Sequence, residues 1–273
     1  MRVLAKGIFV FAALAMAAAG VAQRNSPASG HGSGNLGSGN MHAEAGRIFA
    51  LANQVRAQTG VGRLDWDPAL ADAALQHCLR MAAEGPVSHQ YNGEPDLSTR
   101  TAQAGARYSV IEENVAMGPS ADTIHEQWMH SPGHRANLLC PDVDRVGIAV
   151  VAAHGSLYAV ADYSRAVEQL NATQVEARVA AIIRASGVAI LRDPSLARAA
   201  CATDEGMPRA SVGSGGPMPR FVMRWQEADL SQLPQALADR LVSGKYRQAA
   251  VGSCPAQTSG GSFSAYRVAV LLY

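Results

Sequence analysis

The segment Gly60–Ala71 is written a second time in this chain, and that repetition limits the fold more than any single motif does. Gly60-Val61-Gly62-Arg63-Leu64-Asp65-Trp66-Asp67-Pro68-Ala69-Leu70-Ala71 returns, in worn form and one residue shorter, as Gly187-Val188-Ala189-Ile190-Leu191-Arg192-Asp193-Pro194-Ser195-Leu196-Ala197. Each copy follows apolar residues at helical spacing: Ile48, Leu51, Ala52 and Val55 before the first, Val175, Val179 and Ile183 before the second. Each is followed later by a Val-Gly step and an apolar strand pattern. These are Val146-Gly147 with Leu157–Tyr163, and Val251-Gly252 with Tyr266–Leu272. The pattern is a duplication with a shortened middle, a first unit over 41–165 and a second over 166–273. A length of 273 residues accommodates two ordinary domains, and a hydrophobic content of 48% can fill their cores.

What precedes residue 41 has a different character. Residues 1–22 have the form of an export signal: Arg2 and Lys6 at a charged start, an apolar run Gly7–Ala19, and the small-x-small exit Gly20-Val21-Ala22. The run falls short of the ~20 residues that span a bilayer. Residues 23–40, rich in Gly, Ser and Asn without apolar period, are expected to be a flexible linker. No cysteine precedes Cys78, so no lipid anchor is indicated. The formal charge of +1, with no basic run, gives no field for nucleic acid or an acidic membrane. A secreted chain without a stable membrane anchor is the expectation.

In the first unit, Thr59-Gly60 closes one helix and Asp67-Pro68 opens the next, the carboxylate capping free N–H groups and Pro taking the first helical position. Glu84-Gly85-Pro86 ends that helix, and His89 follows in a polar loop. Tyr91–Ala106 reads as irregular, and Ile111–Ala116 as a short segment carrying Glu112 and Glu113. Ser120 caps a helix with Ile124 and Trp128 on one face. Ser131-Pro132-Gly133 then breaks it, which places His134 on a short loop before the buried anchors Leu138 and Leu139. Val146–Val151 and Leu157–Tyr163 form a hairpin across His154-Gly155-Ser156. Helices early and paired strands late give an α+β layer packing.

Four features in register carry a resemblance: Leu64-x-Trp66-Asp67-x-x-Leu70, Ser88-His89, Glu113-Asn114-Val115-Ala116, and Trp128-Met129-x-Ser131-Pro132-Gly133-His134-Arg135-Ala136-Asn137-Leu138-Leu139. Together they resemble the CAP superfamily of cysteine-rich secretory, antigen-five and pathogenesis-related proteins, in its bacterial (SCP-domain) branch. The resemblance implies an α-β-α sandwich with a central antiparallel sheet, followed here by a shorter degenerate CAP-like repeat. It also implies a cavity lined by two His and two acids. His89, His134 and Glu113 take three of those places, and Ser131 stands where many members carry the second acid. Glu126 precedes Trp128 on another side of the helix, and Glu112 faces away from Glu113 in an extended segment. The second unit keeps none of the four.

Two neutral imidazoles can hold a divalent ion, with Glu113 orienting a water or adding a ligand. Zinc held by His89 and His134 alone would be weak and exchangeable, since tight sites use three or four protein ligands. Three readings stay open: a binding module without turnover, a metal-dependent protease or nuclease with Glu113 as base, and a structural or adhesion module in which the three side chains tie loops together. Neither Gly-x-Ser-x-Gly nor His-Glu-x-x-His occurs, which places hydrolysis last. A small hydrophobic ligand, a glycan and a protein are all open as partners. The four cysteines include no Cys-x-x-Cys and suit disulfides in an exported chain. Two fall in each unit, so Cys78–Cys140 and Cys201–Cys254 are the economical pairings among three, with free buried thiols as the alternative.

Overall fold

The computed structural model describes residues 38–206, 218–256 and 263–273. The export signal and most of the linker lie outside the described residues. Helix α1 (Ser38–Gln58) takes in residues 38–40, which the Gly/Ser-rich composition had assigned to the linker. It ends before Gly60, whose φ of 72° suits a residue without a Cβ. After a two-residue strand β1 (Asp65–Trp66) comes α2 (Pro68–Glu84). Asp67 Oδ1 caps α2 by accepting the N–H groups of Ala69 at 2.8 Å and Leu70 at 3.2 Å.

The stretch read as irregular contains α3 (Leu97–Gln103), capped by Asp96 accepting from Thr99 N–H at 2.7 Å. Its polar sequence Leu-Ser-Thr-Arg-Thr-Ala-Gln has no apolar period to betray it. Strand β2 (Tyr108–Gly118) extends the short acidic segment in both directions. Helix α4 (Ala121–His130) starts at the expected Ser120 cap. Pro132 then opens a new helix, α5 (Pro132–Leu138), so His134 sits on a helix and not on a loop. Strands β3 (Arg145–Ala153) and β4 (Ser156–Ala166) form the expected hairpin. Its turn residues His154 and Gly155 have φ of 52° and 75°, the left-handed values a two-residue hairpin loop requires.

The strand order is β1-β3-β4-β2, antiparallel through the three long strands with β1 parallel to β3. Alternation along β3 sends Val146, Ile148 and Val150 into the core under α1, α4 and α5, with Trp128, Leu138 and Ile48. Ala149 and Val151 face the other way, under α2, with Cys78 and Met81. The result is the α-β-α sandwich. Arg56 is buried within it, donating to the carbonyls of Gly62, Leu138, Cys140 and Val143, which anchors α1 to the chain leaving α5.

The second unit repeats this plan. Helix α6 (Ala172–Ala185), β5 (Ala189–Ile190), α7 (Ser195–Cys201), β6 (Phe221–Glu227), α8 (Gln235–Val242), β7 (Gln248–Cys254) and β8 (Tyr266–Leu272) follow in order. Their sheet runs β5-β7-β8-β6, with β5 parallel to β7 and the rest antiparallel. Helices α6 and α8 cover one face and α7 the other. Among the described residues, α3 and α5 have no counterpart, and β6 is a strand the sequence pattern did not reveal. Gly147 and Gly252 mark the same place in the two sheets. A Cβ at Gly147 would lie 2.0 Å from Ala71 N on α2, and one at Gly252 would lie 2.1 Å from Arg198 N on α7.

One disulfide matches expectation, Cys201–Cys254, with a Cα–Cα distance of 5.8 Å. The expected Cys78–Cys140 bridge is not formed. Cys78 belongs to the α2 side of the sheet and Cys140 to the α1/α4/α5 side, so the sheet itself separates them. Cys78 instead donates to Tyr158 O, and burial pushes its thiol up to about 12. The units touch where Val167 N–H reaches Arg107 O at 2.9 Å, and where the Phe263 ring stands edge-on to Tyr108 at 5.5 Å.

Candidate functional site

Strand β2 is the outer strand of its sheet, and the site is built around that edge. Glu113 and Val115 point to the α2 face, while Asn114 and Ala116 point to the α1/α4/α5 face. The loop after α2 brings His89 to the edge from one layer, and α5 brings His134 from the other. Two asparagines lock α5 in place. Asn114 donates to His134 O at 2.9 Å, and Asn137 donates to Glu113 O and to Asn114 Oδ1, both at 3.0 Å. Trp128 Nε1 donates to Val115 O at 3.2 Å, tying α4 to the same strand. The polar letters of the Glu-Asn-Val-Ala and Trp…Asn-Leu-Leu motifs are thus the bonds that hold the site together.

The structure brings three of the four expected residues into one place. His89 Nδ1 bonds to Glu113 Oε1 at 2.7 Å, and the rings of His89 and His134 lie 6.4 Å apart, centroid to centroid. His89 is solvent-exposed, Glu113 is buried and His134 is half-buried. Burial, then the charge of His89, holds the His134 pKa below its ordinary value, so its ring keeps a lone pair. Ser131 joins α4 to α5 through its backbone, and its hydroxyl makes no capping bond at the start of α5. It stands at the joint of the two helices, three residues before His134. Glu126 is exposed, as the helical spacing required.

The sequence reading missed what lies behind Glu113. Arg100, on the unforeseen α3, forms a buried ion pair with Glu113 Oε2 and donates to His89 O at 3.3 Å. His77, fully buried on α2, places Nδ1 at 2.7 Å from Glu94 Oε1 and Nε2 at 2.9 Å from Ser88 O. A carboxylate and a carbonyl both accept, so both nitrogens of His77 serve as donors. Asp162 on β4 is the cross-strand partner of Glu113 and is also fully buried. Among the described residues, no donor reaches either of its oxygens.

The two carboxyls divide accordingly. Burial opposes the charge on Glu113, but the bond from His89 and the charges of Arg100 and His77 outweigh it and hold its pKa low. Burial, then the charge of Glu113, pushes the Asp162 pKa well above its ordinary value, so of the two carboxyls Asp162 is the one that holds a proton more readily. Asp162 is thus a second acid beside Glu113, one that the motif spacing did not single out. Its mark in the sequence was an acid inside the apolar run Leu157–Tyr163.

Among the described residues, no group of three or more His, Cys, Asp or Glu is arranged to hold a metal ion. Glu113 has one oxygen on His89 and the other on Arg100, so it orients a ligand and does not serve as one. The donor set therefore fits a divalent ion held by two imidazoles and water, and no tighter site. A cleft of about 470 Å³ between α2 and α3 is lined by His77, Glu94 and Arg100 and does not include His89 or His134.

Residues 49–163 match the family described as the cysteine-rich secretory protein family, CAP. An uncharacterized membrane protein of Bacillus subtilis, YlbC, is 31% identical over 108 residues, covering 38% of this chain and 30% of that protein. A second uncharacterized protein of that organism, YkwD, is 28% identical over 109 residues, covering 38% of this chain and 41% of the relative. The chain thus spans well under half the length of these relatives. A solved extracellular protein of Bacillus anthracis containing an SCP domain is 24% identical with a TM-score of 0.45, over 50% of this chain and 45% of that one. The match runs from α1 to β4 and takes in all four motifs, so over residues 49–163 the first unit matches the CAP domain of the cysteine-rich secretory protein family.

Proposed function

We propose that the first unit is an exported binding module. Its ligand sits at the edge of β2, held by His89 and His134 and oriented through Glu113, without chemical turnover. The observation that carries this reading is the His89–Glu113 bond. With Nδ1 engaged by the carboxylate, His89 keeps Nε2 for a ligand, its ring 6.4 Å from that of His134, and two imidazole nitrogens suit a borderline-soft divalent ion such as zinc or a ligand that donates hydrogen bonds. Hydrolysis is disfavoured because a general base needs a free oxygen within reach of water, and both oxygens of buried Glu113 are occupied. Export is supported by the disulfide in the second unit and by the signal-like start of the chain. No helix among the described residues is long and apolar enough to cross a membrane.

Titration calorimetry with zinc tests the reading on the wild type, His134→Ala and Glu113→Gln. His134→Ala should abolish binding with the fold retained. Glu113→Gln should weaken binding about tenfold, the usual scale for a lost outer partner. Equal affinity in the wild type and His134→Ala returns the site to a purely structural cluster.

A further inference from the structure

Two adjacent backbone carbonyls, Ser88 and His89, accept from two different buried donors. Ser88 O takes the Nε2–H of His77 from α2, and His89 O takes an N–H of Arg100 from α3. The same two residues hold the side chains that define the loop. Arg100 pairs with Glu113, which receives the His89 ring, and His77 pairs with Glu94, whose other oxygen accepts Tyr91 N–H at 2.9 Å. His77 is completely buried and Arg100 is 7% exposed, so neither can be replaced by water without rebuilding the α2–α3 packing.

We infer that Arg100 and His77 are positioning residues for His89, a pair of buried donors that fixes both the loop and the ring nitrogen the site presents. This rests on the binding reading above and deepens it by naming the presented atom. The physical argument is one of geometry. A loop histidine that is exposed on one side can rotate or exchange tautomers at little cost. Here its backbone is held from behind by Arg100, and its Nδ1 faces a carboxylate that the same guanidinium keeps in place. The Nδ1–H tautomer is the one that satisfies Glu113, and it leaves Nε2, on the other side of the ring, as the acceptor. Lysine would have to serve both acceptors from a single nitrogen, whereas the guanidinium reaches Glu113 from Nη2 and His89 O from Nη1.

The test uses the full chain and two readouts. Nitrogen-15 shifts of the His89 ring report the tautomer directly, and zinc calorimetry reports the consequence. Wild type should show Nδ1–H with Nε2 unprotonated. In Arg100→Gln the two tautomers should mix, and zinc affinity should fall about 10- to 100-fold, the range for loss of an outer-shell partner. Arg100→Lys should recover part of the tautomer bias, and it carries the same comparison if the Gln variant does not fold. A merely structural role would lower the melting temperature while leaving the His89 shifts and the zinc affinity as in wild type, and that result overturns the inference. If wild type binds no zinc, the binding reading fails, while the tautomer comparison still decides the positioning role.

Discussion

Strands β2 and β6 occupy the same edge of equivalent sheets, and their middles differ in sign. In the first sheet the row across the strands is Gly147, Asp162 and Glu113; in the second it is Gly252, Ala269 and Arg224. The glycine is kept because a helix backbone lies against it in both units. The acid pair is not kept. Arg224 fills the corresponding place and turns to the end of α7, donating from Nε to Ala200 O at 2.6 Å. The helices that carry Arg100 and His134, α3 and α5, are the two the second unit lacks among its described residues. Sandwich and site are therefore separable. The frame needs a Val-Gly strand under a helix, two buried faces and a hairpin, whereas the site needs two added helices and a pair of buried acids.

The largest contrast should come from reduction. Opening Cys201–Cys254, which closes a separation of 53 residues, removes about 4 kcal/mol on chain-entropy grounds, and only from the second unit. Unfolding by denaturant, read from Trp128 in the first unit and Trp225 in the second, should show one transition moving and the other fixed. If both move together, the units unfold as one body and the separability argued here is lost.

Next in size is a symmetric pair. Gly147→Ala and Gly252→Ala each force a methyl into helix backbone and should each cost about 3 kcal/mol, at the upper end of overpacking. Equal losses, measured by the same denaturation, sharpen the view that the glycine belongs to the shared frame. A tolerated change at either position removes that equivalence.

The smallest effect has the opposite sign. Asp162 binds its proton more tightly folded than unfolded, where a free Asp titrates near about 3.9. Its contribution to stability is present below that value and is lost as pH rises towards its raised folded pKa. Asp162→Asn should therefore stabilise the first unit at pH 8 by about 1–2 kcal/mol and flatten the decline above about pH 4. A variant less stable than wild type at pH 8 would mean that the acid is paired more favourably than its surroundings indicate.

Much of the frame was legible because it is written locally. Asp67 and Ser120 announce helix starts by their own chemistry, His154-Gly155 announces a turn, and the repeated Val-Gly steps announce equivalent strands. Motif spacing singled out His89, Glu113 and His134, which the structure brings together. It did not single out the buried residues behind them. His77 sits in a helix that reads as alanine-rich, Arg100 lies in a polar stretch without period, and both act on partners 11 or more residues away that only folding brings near. The expected Cys78–Cys140 bridge failed for a related reason, since spacing along the chain says nothing about which side of a sheet each residue reaches.

The placement of the site on an outer strand has a consequence for solubility. A free strand edge offers its backbone to any other extended chain and is a template for self-association. In the first unit, the Ser88–Glu94 loop and α5 flank β2, so the residues that build the site also shield its edge. Strand β6 lacks those flanking helices among the described residues, but it carries Arg224 and Glu227 along its length and Arg220 just before it. Charge on an edge strand discourages strand addition by making the approach of a second chain costly. Among the described residues, charged side chains thus stand along β6 where a loop and a helix stand along β2.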